Sequence, residues 1–180
     1  MPPDSARSPL PVRLLYTWFG LGYAPKAPGT FGTAGAIPLY FLVVWLGGLA
    51  EGSGGIPGAL LGGWKLFAAA TVLVFLAGWW ACARGEADFG GHDDKRMVID
   101  EVLGYMMTMF PLPLSEPLPF SWLWGFALFR LFDIWKPGFV GAIDRRVPGG
   151  LGVMLDDAAA GALAWVCLQV LGRVWGPAFG

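Results

Sequence analysis

The chain has 180 residues, about one domain, with 56% hydrophobic and only 14% charged residues. A soluble domain carries about 25% charged residues, so a soluble globule is excluded and the surplus apolar surface must meet lipid. The net charge of −1 excludes nucleic acid as a partner, because that binding needs a dominant basic field.

Residues 1–11 are polar and proline-rich, without the apolar core and small-residue cleavage site of a secretory signal. They are expected to form a disordered tail, leaving residues 12–180 as one membrane-embedded domain. Residues 12–19 are weakly amphipathic and suit the membrane interface. Crossing a bilayer takes about 20 mostly apolar residues, and five stretches are candidates: 31–49, 66–83, 98–112, 120–135 and 155–175. The third is short enough to be re-entrant. A glycine-rich turn (51–63), a hydrophilic segment (84–96), a proline-punctuated loop and a polar loop (136–152) separate them, and Pro137 predicts a helix stop. None of the five shows the two-residue alternation of a barrel, so they are expected to be helices. The expected fold is therefore all-α, a polytopic helical membrane bundle with about four to five spans. Cys82 and Cys167 lie in apolar runs without metal-ligand spacing and read as small buried hydrophobes.

Successive spans alternate direction. Polar motifs stand before the first span, after the second, at the start of the third, at the end of the fourth and at the start of the fifth. All five then meet at one membrane face. That face also carries most of the Lys and Arg residues, with only Lys65 and Arg173 opposite, so the positive-inside rule places it in the cytoplasm.

At this face Asp100 and Glu101 begin one helix, and Asp156 and Asp157 begin another. Capping is an alternative reading for either pair. Two pairs joined by Asp133 point to an oxygen-ligand site for a hard cation such as Mg²⁺. Arg130 and Asp133 share a helix face at a spacing of three, either as a structural salt bridge or with Arg130 gripping phosphate. Lys136 extends that face. Pro28, Gly29 and Thr30 form a turn into the first span, where a helix start attracts anions. His92, the only histidine, is a candidate general acid or base, or simply a solvated loop residue.

Other phosphatase chemistries fail on inspection. Cys167 and Arg173 have the Cys-x₅-Arg count but lie in an apolar helix at the opposite face. Nucleophilic-histidine enzymes need more than one histidine. The Asp-x-Asp and alcohol-phosphotransferase patterns are absent. Metal-assisted hydrolysis remains, with a metal-bound water or a carboxylate as nucleophile. The rival class is an ion-coupled transporter using the intramembrane carboxylates.

Four segments, in order and spacing, resemble the phosphatidylglycerophosphatase A family: Pro25-Lys26-Ala27-Pro28-Gly29-Thr30-Phe31-Gly32-Thr33, Val98-Ile99-Asp100-Glu101-Val102-Leu103-Gly104-Tyr105, Phe129-Arg130-Leu131-Phe132-Asp133-Ile134-Trp135-Lys136-Pro137, and residues 149–157 ending in Asp156-Asp157. Gly138 departs from the family, which usually has tryptophan there. The resemblance implies a Mg²⁺-dependent lipid phosphatase of the inner (cytoplasmic) membrane, converting phosphatidylglycerol phosphate to phosphatidylglycerol and inorganic phosphate. Asp100, Glu101, Asp133, Asp156 and Asp157 would form the catalytic metal site, with His92 as a further catalytic candidate. Lys26, Pro28, Gly29, Thr30, Arg130 and Lys136 would hold the substrate phosphate.

Overall fold

The computed structural model describes residues 7–50, 63–91, 94–110 and 120–175. His92 lies outside the described residues, as does most of the glycine-rich turn. The described residues form seven helices and no strand. In chain order they are α1 (Leu10–Tyr16), α2 (Pro28–Ala50), α3 (Trp64–Phe89), α4 (Ile99–Thr108), α5 (Ser121–Trp135), α6 (Phe139–Arg146) and α7 (Gly149–Trp175), with a short 3₁₀ turn, Leu21–Tyr23, after α1. Of the stretch expected to be a tail, residues 1–6 lie outside the described residues. Within the rest, the Ser8 N–H donates to Asp88 and Leu10 opens α1.

Three helices are long and apolar enough to cross a membrane: residues 28–49 of α2, all of α3 and all of α7. Their outward faces carry exposed Trp45, Leu73, Leu76 and Val170, with Leu73 67% exposed. A soluble fold does not leave such ridges uncovered over whole helices. The third expected span contracts to α4. At 10 residues it reaches about 15 Å, half the hydrocarbon thickness of about 30 Å. Nearly all of α4 is buried, so it packs within protein and does not face lipid. α5, at 15 residues, is also shorter than a full crossing.

α7 is the axis of the bundle, packed against α3, α4, α5 and α6, while α4 also packs on α2 and α3. One face of α4 gives Val102, Tyr105 and Met106 to a core with Tyr40, Phe67, Phe129 and Ala164. The other gives Ile99 and Leu103 to a second core with Tyr16, Cys82, Met97 and Met154. α4 and α7 cross at Gly104 and Gly161, where a Cβ on Gly161 would overlap the Gly104 carbonyl oxygen. Small residues that let backbones touch are the usual means of helix association in lipid.

Two expectations are corrected. The hydrophilic segment 84–96 is helical through Phe89, since α3 runs beyond its apolar stretch. The polar loop 136–152 contains α6 and the first residues of α7. α6 is short and polar overall, which hid it among the flanking prolines and glycines.

Candidate active site

Four helices deliver the site. Asp100 and Glu101 occupy the first turn of α4, where the helix dipole favours carboxylates. Arg130 and Asp133 lie one turn apart near the end of α5. Lys136 caps that helix in the left-handed conformation, φ 46°, which glycine usually fills. Asp156 and Asp157 do not open a helix as expected. α7 begins at Gly149 and places them in its third turn. The glycine-rich stretch is helical because it packs on α3: a Cβ on Gly150 would stand 2.5 Å from the Ala83 nitrogen. Capping therefore does not explain this pair.

The expected turn at Pro28, Gly29 and Thr30 is likewise the first turn of α2, entered through Ala27 at φ 47°. Proline suits that position, since the N–H it lacks would have no helical partner there. Gly29 lies against the site: a Cβ on it would overlap Glu101 Oε1 and come within 3.0 Å of Arg130 Nη1. Thr30 is half-buried beside it and Lys26 stays exposed on the preceding loop.

Asp100, Glu101 and Asp157 each present an oxygen, and these oxygens all lie within 4.8 Å of one another. Asp100 is 6% exposed and Asp157 3%. Glu101 Oε2 and Asp157 Oδ2 are buried without a hydrogen-bond partner. Two like charges about 4 Å apart repel by about 4 kcal/mol at an effective dielectric of about 20, so three clustered carboxylates here, two of them buried and Glu101 with a side chain 13% exposed, need protons or a cation. Burial, reinforced by the charges of Asp157 and Asp133, pushes the Glu101 carboxyl up to about 8. A divalent cation would reverse that shift, and the donor set is the all-oxygen one that Mg²⁺ prefers. The residues present fit the ion.

The other two expected carboxylates are each paired with a basic side chain. Asp133 Oδ2 stands 2.7 Å from Arg130 Nη1, which is also 3.7 Å from Glu101 Oε1. Asp133 also touches the Asp157 side chain. Asp156 accepts from Lys136 Nζ, which donates in addition to Asp144 Oδ1 at 2.6 Å. Arg130 Nε is buried without a hydrogen-bond partner, leaving the guanidinium a donor edge for a further anion. The structure thus brings together Gly29, Asp100, Glu101, Arg130, Asp133, Lys136, Asp156 and Asp157.

Sequence reasoning missed Asp144. Its one signal was a lone acid beside Arg145 and Arg146 in a stretch read as loop. On α6 it turns toward Lys136. The hydrogen bond from Lys136 holds the Asp144 carboxyl below the usual carboxylate range. Burial alone would lower the Lys136 pKa, but its hydrogen bonds to Asp144 and Asp156 outweigh that and raise it.

The Phosphatidylglycerophosphatase A family model matches residues 14–172. The chain is 34% identical to phosphatidylglycerophosphatase A of Escherichia coli K12 over 179 residues, covering 96% of this chain and 92% of that one. It is 34% identical to phosphatidylglycerophosphatase A of Haemophilus influenzae over 157 residues, 86% of this chain and 84% of that one. A Bacteroides thetaiotaomicron protein, named as a candidate phosphatidylinositol-3-phosphatase, is 38% identical over 169 residues, 89% of this chain and 92% of that one. No solved structure matches the chain. With the match running through every helix that builds the site, the chain belongs to the phosphatidylglycerophosphatase A family.

Proposed function

We propose that the chain hydrolyses the terminal phosphomonoester of phosphatidylglycerol phosphate, releasing phosphatidylglycerol and inorganic phosphate at the cytoplasmic face of the inner membrane. The observation that carries this reading is the meeting of Asp100, Glu101 and Asp157 oxygens within 4.8 Å beside Arg130. The names of the two phosphatidylglycerophosphatase A relatives support the substrate.

Asp100, Glu101 and Asp157 would hold Mg²⁺. The ion, when bound, offsets negative charge on the transferring phosphoryl group and activates water. The chain's own residues do the rest. Arg130 offers a planar fork that matches phosphate oxygens, and its pairing with Asp133 fixes the plane of that fork. The start of α2 presents the positive end of its dipole, which suits an anion, and Gly29 lets it approach the cluster, while the Thr30 N–H donates to the Ala27 carbonyl. Lys136 supplies a second positive charge at the edge of the site, steadied by Asp144 and Asp156. The lipid tails remain in the bilayer beside the exposed apolar faces while the headgroup reaches the site.

The ion-coupled transporter reading is not favoured, because the clustered charges gather at one end of the candidate spans and leave their middles apolar. The test of substrate is phosphate release from phosphatidylglycerol phosphate, phosphatidate, phosphatidylinositol 3-phosphate and soluble glycerol phosphate. The expected preference is for phosphatidylglycerol phosphate. Faster turnover of the inositol lipid, for which the Bacteroides relative is named, would move the assignment to that headgroup.

A further inference from the structure

A second polar centre lies apart from the carboxylate cluster. Arg7, Arg13, Tyr16, Asp88, Phe89 and Arg96 line most of a cavity of about 240 Å³. α1 crosses the end of α3 here and is tied down on both sides. Tyr16 O–H donates to Asp88 Oδ2 at 2.9 Å, and the Ser8 N–H donates to Asp88 Oδ1 at 2.9 Å. The Val98 N–H donates to the Tyr16 carbonyl at 2.8 Å. Asp88, the carboxylate of the lining, is thus engaged in anchoring this segment.

Arg96 is held rigidly in the wall. Its Nε and Nη2 donate to the two oxygens of Asp94, each at 2.7 Å. Its guanidinium carbon stands 3.8 Å from the Phe89 ring centroid. Arg7, Arg13 and Arg96 share the lining with Asp88, and Asp94 pairs with Arg96.

The cavity lies at the end of a candidate span. Asp88 and Phe89 end the candidate span α3, while Leu10 and Leu14 on α1, and Phe19 and Tyr23 after it, are exposed apolar residues of the segment that lines the cavity through Arg13, Tyr16 and Tyr23. A short helix with such a face would suit the headgroup layer. The volume is below the range of about 300–1,000 Å³ that encloses a drug-sized ligand. It suits a headgroup phosphate whose acyl chains stay outside.

We propose that this cavity binds the phosphate ester of an anionic phospholipid headgroup, at a site separate from the carboxylate cluster. Arginine forks match phosphate oxygens bidentately, and the exposed leucines would lie along the chains. None of the lining residues belongs to the cluster.

The full-length chain in detergent micelles tests this by native mass spectrometry. The probes are phosphatidylserine, which the proposed reaction neither consumes nor makes, phosphatidylcholine and soluble glycerol 3-phosphate. The wild type is expected to retain phosphatidylserine over phosphatidylcholine. Arg13→Gln should reduce that preference about fivefold, and Arg7→Gln with Arg13→Gln about twenty-five-fold. The charge-keeping pair Arg7→Lys and Arg13→Lys should keep most of it, and melting temperatures report whether each variant folds. If the double Gln variant fails to fold, Arg13→Gln alone decides. Displacement of the lipid by glycerol 3-phosphate would place recognition on the ester itself. Failure to displace would place it on the ester together with the acyl chains, and both support the site. Equal retention of the two lipids by the wild type, or an unchanged preference in Arg13→Gln, overturns the proposal.

Discussion

Lys136 Nζ donates to Asp144 Oδ1 at 2.6 Å, joining the end of α5 to α6 across eight residues. The same ammonium donates to Asp156 on α7, so one lysine in a left-handed cap position ties three helices together beside the carboxylate cluster. Asp144→Asn should leave Lys136 with a weaker second partner. With Lys136 at the edge of the phosphate site, the expected result is a severalfold rise in KM with kcat largely kept. Lys136→Ala should cost more, about ten- to a hundredfold in kcat/KM, the range for a lost charged hydrogen bond. Steady-state kinetics on both variants check this.

The same pair sets a pH dependence. Asp144 has a lowered pKa in the folded chain. Its contribution to stability is therefore present above the unfolded aspartate value of about 3.9 and is lost as pH falls through the folded value. Lys136 has a raised pKa, so its contribution is complete below the unfolded lysine value of about 10.4 and is lost only as pH rises beyond it. The difference in melting temperature between wild type and Asp144→Asn should be constant from about pH 6 to 9 and shrink toward pH 3. A difference that grew on acidification would contradict the pairing.

Arg130→Lys keeps the charge but loses the planar fork, and it leaves Asp133 and Glu101 facing a point charge. The expected loss is about ten- to a hundredfold in kcat/KM, with melting temperature little changed. Asp133→Asn should produce a smaller loss, because it removes the partner that fixes the fork while leaving the fork itself.

The charged pairs were legible in the sequence because chemistry demands particular residue types at particular spacings. Arg130 and Asp133 at a separation of three, and the acidic doublets at 100–101 and 156–157, needed no tertiary information. Helix boundaries were harder. Hydropathy ends near Ala83, yet α3 continues to Phe89, since backbone hydrogen bonding does not stop where side chains turn polar. Residues 149–152 read as part of a polar loop, whereas Gly150 lets α7 pack closely on α3 and Gly152 lies against the Val147 carbonyl. Asp144 was invisible because its role depends on how α6 folds back on α5, which no local pattern encodes.

The crossing of α4 and α7 gives a stability prediction independent of catalysis. A Cβ on Gly161 would overlap the Gly104 backbone, where no flexible side chain can move aside. Gly161→Ala should destabilise the chain by about 1–3 kcal/mol, the usual cost of overpacking. Gly104→Ala should do the same and also press on Phe129 and the Asp157 carbonyl, lowering activity even where the variant folds. Thermal unfolding in detergent, followed by activity of the folded fraction, separates the two effects.

The central claim is that Asp100, Glu101 and Asp157 hold a divalent cation needed for phosphate release. Its most direct measurement is turnover of phosphatidylglycerol phosphate by the full-length chain in Mg²⁺, in EDTA, and after Mg²⁺ is restored, with Asp157→Asn measured alongside. Turnover should be lost in EDTA and recover with Mg²⁺, and Asp157→Asn should lose on the order of a hundredfold or more, which added Mg²⁺ does not repair. Undiminished turnover in chelator, or near wild-type activity in Asp157→Asn, would contradict it.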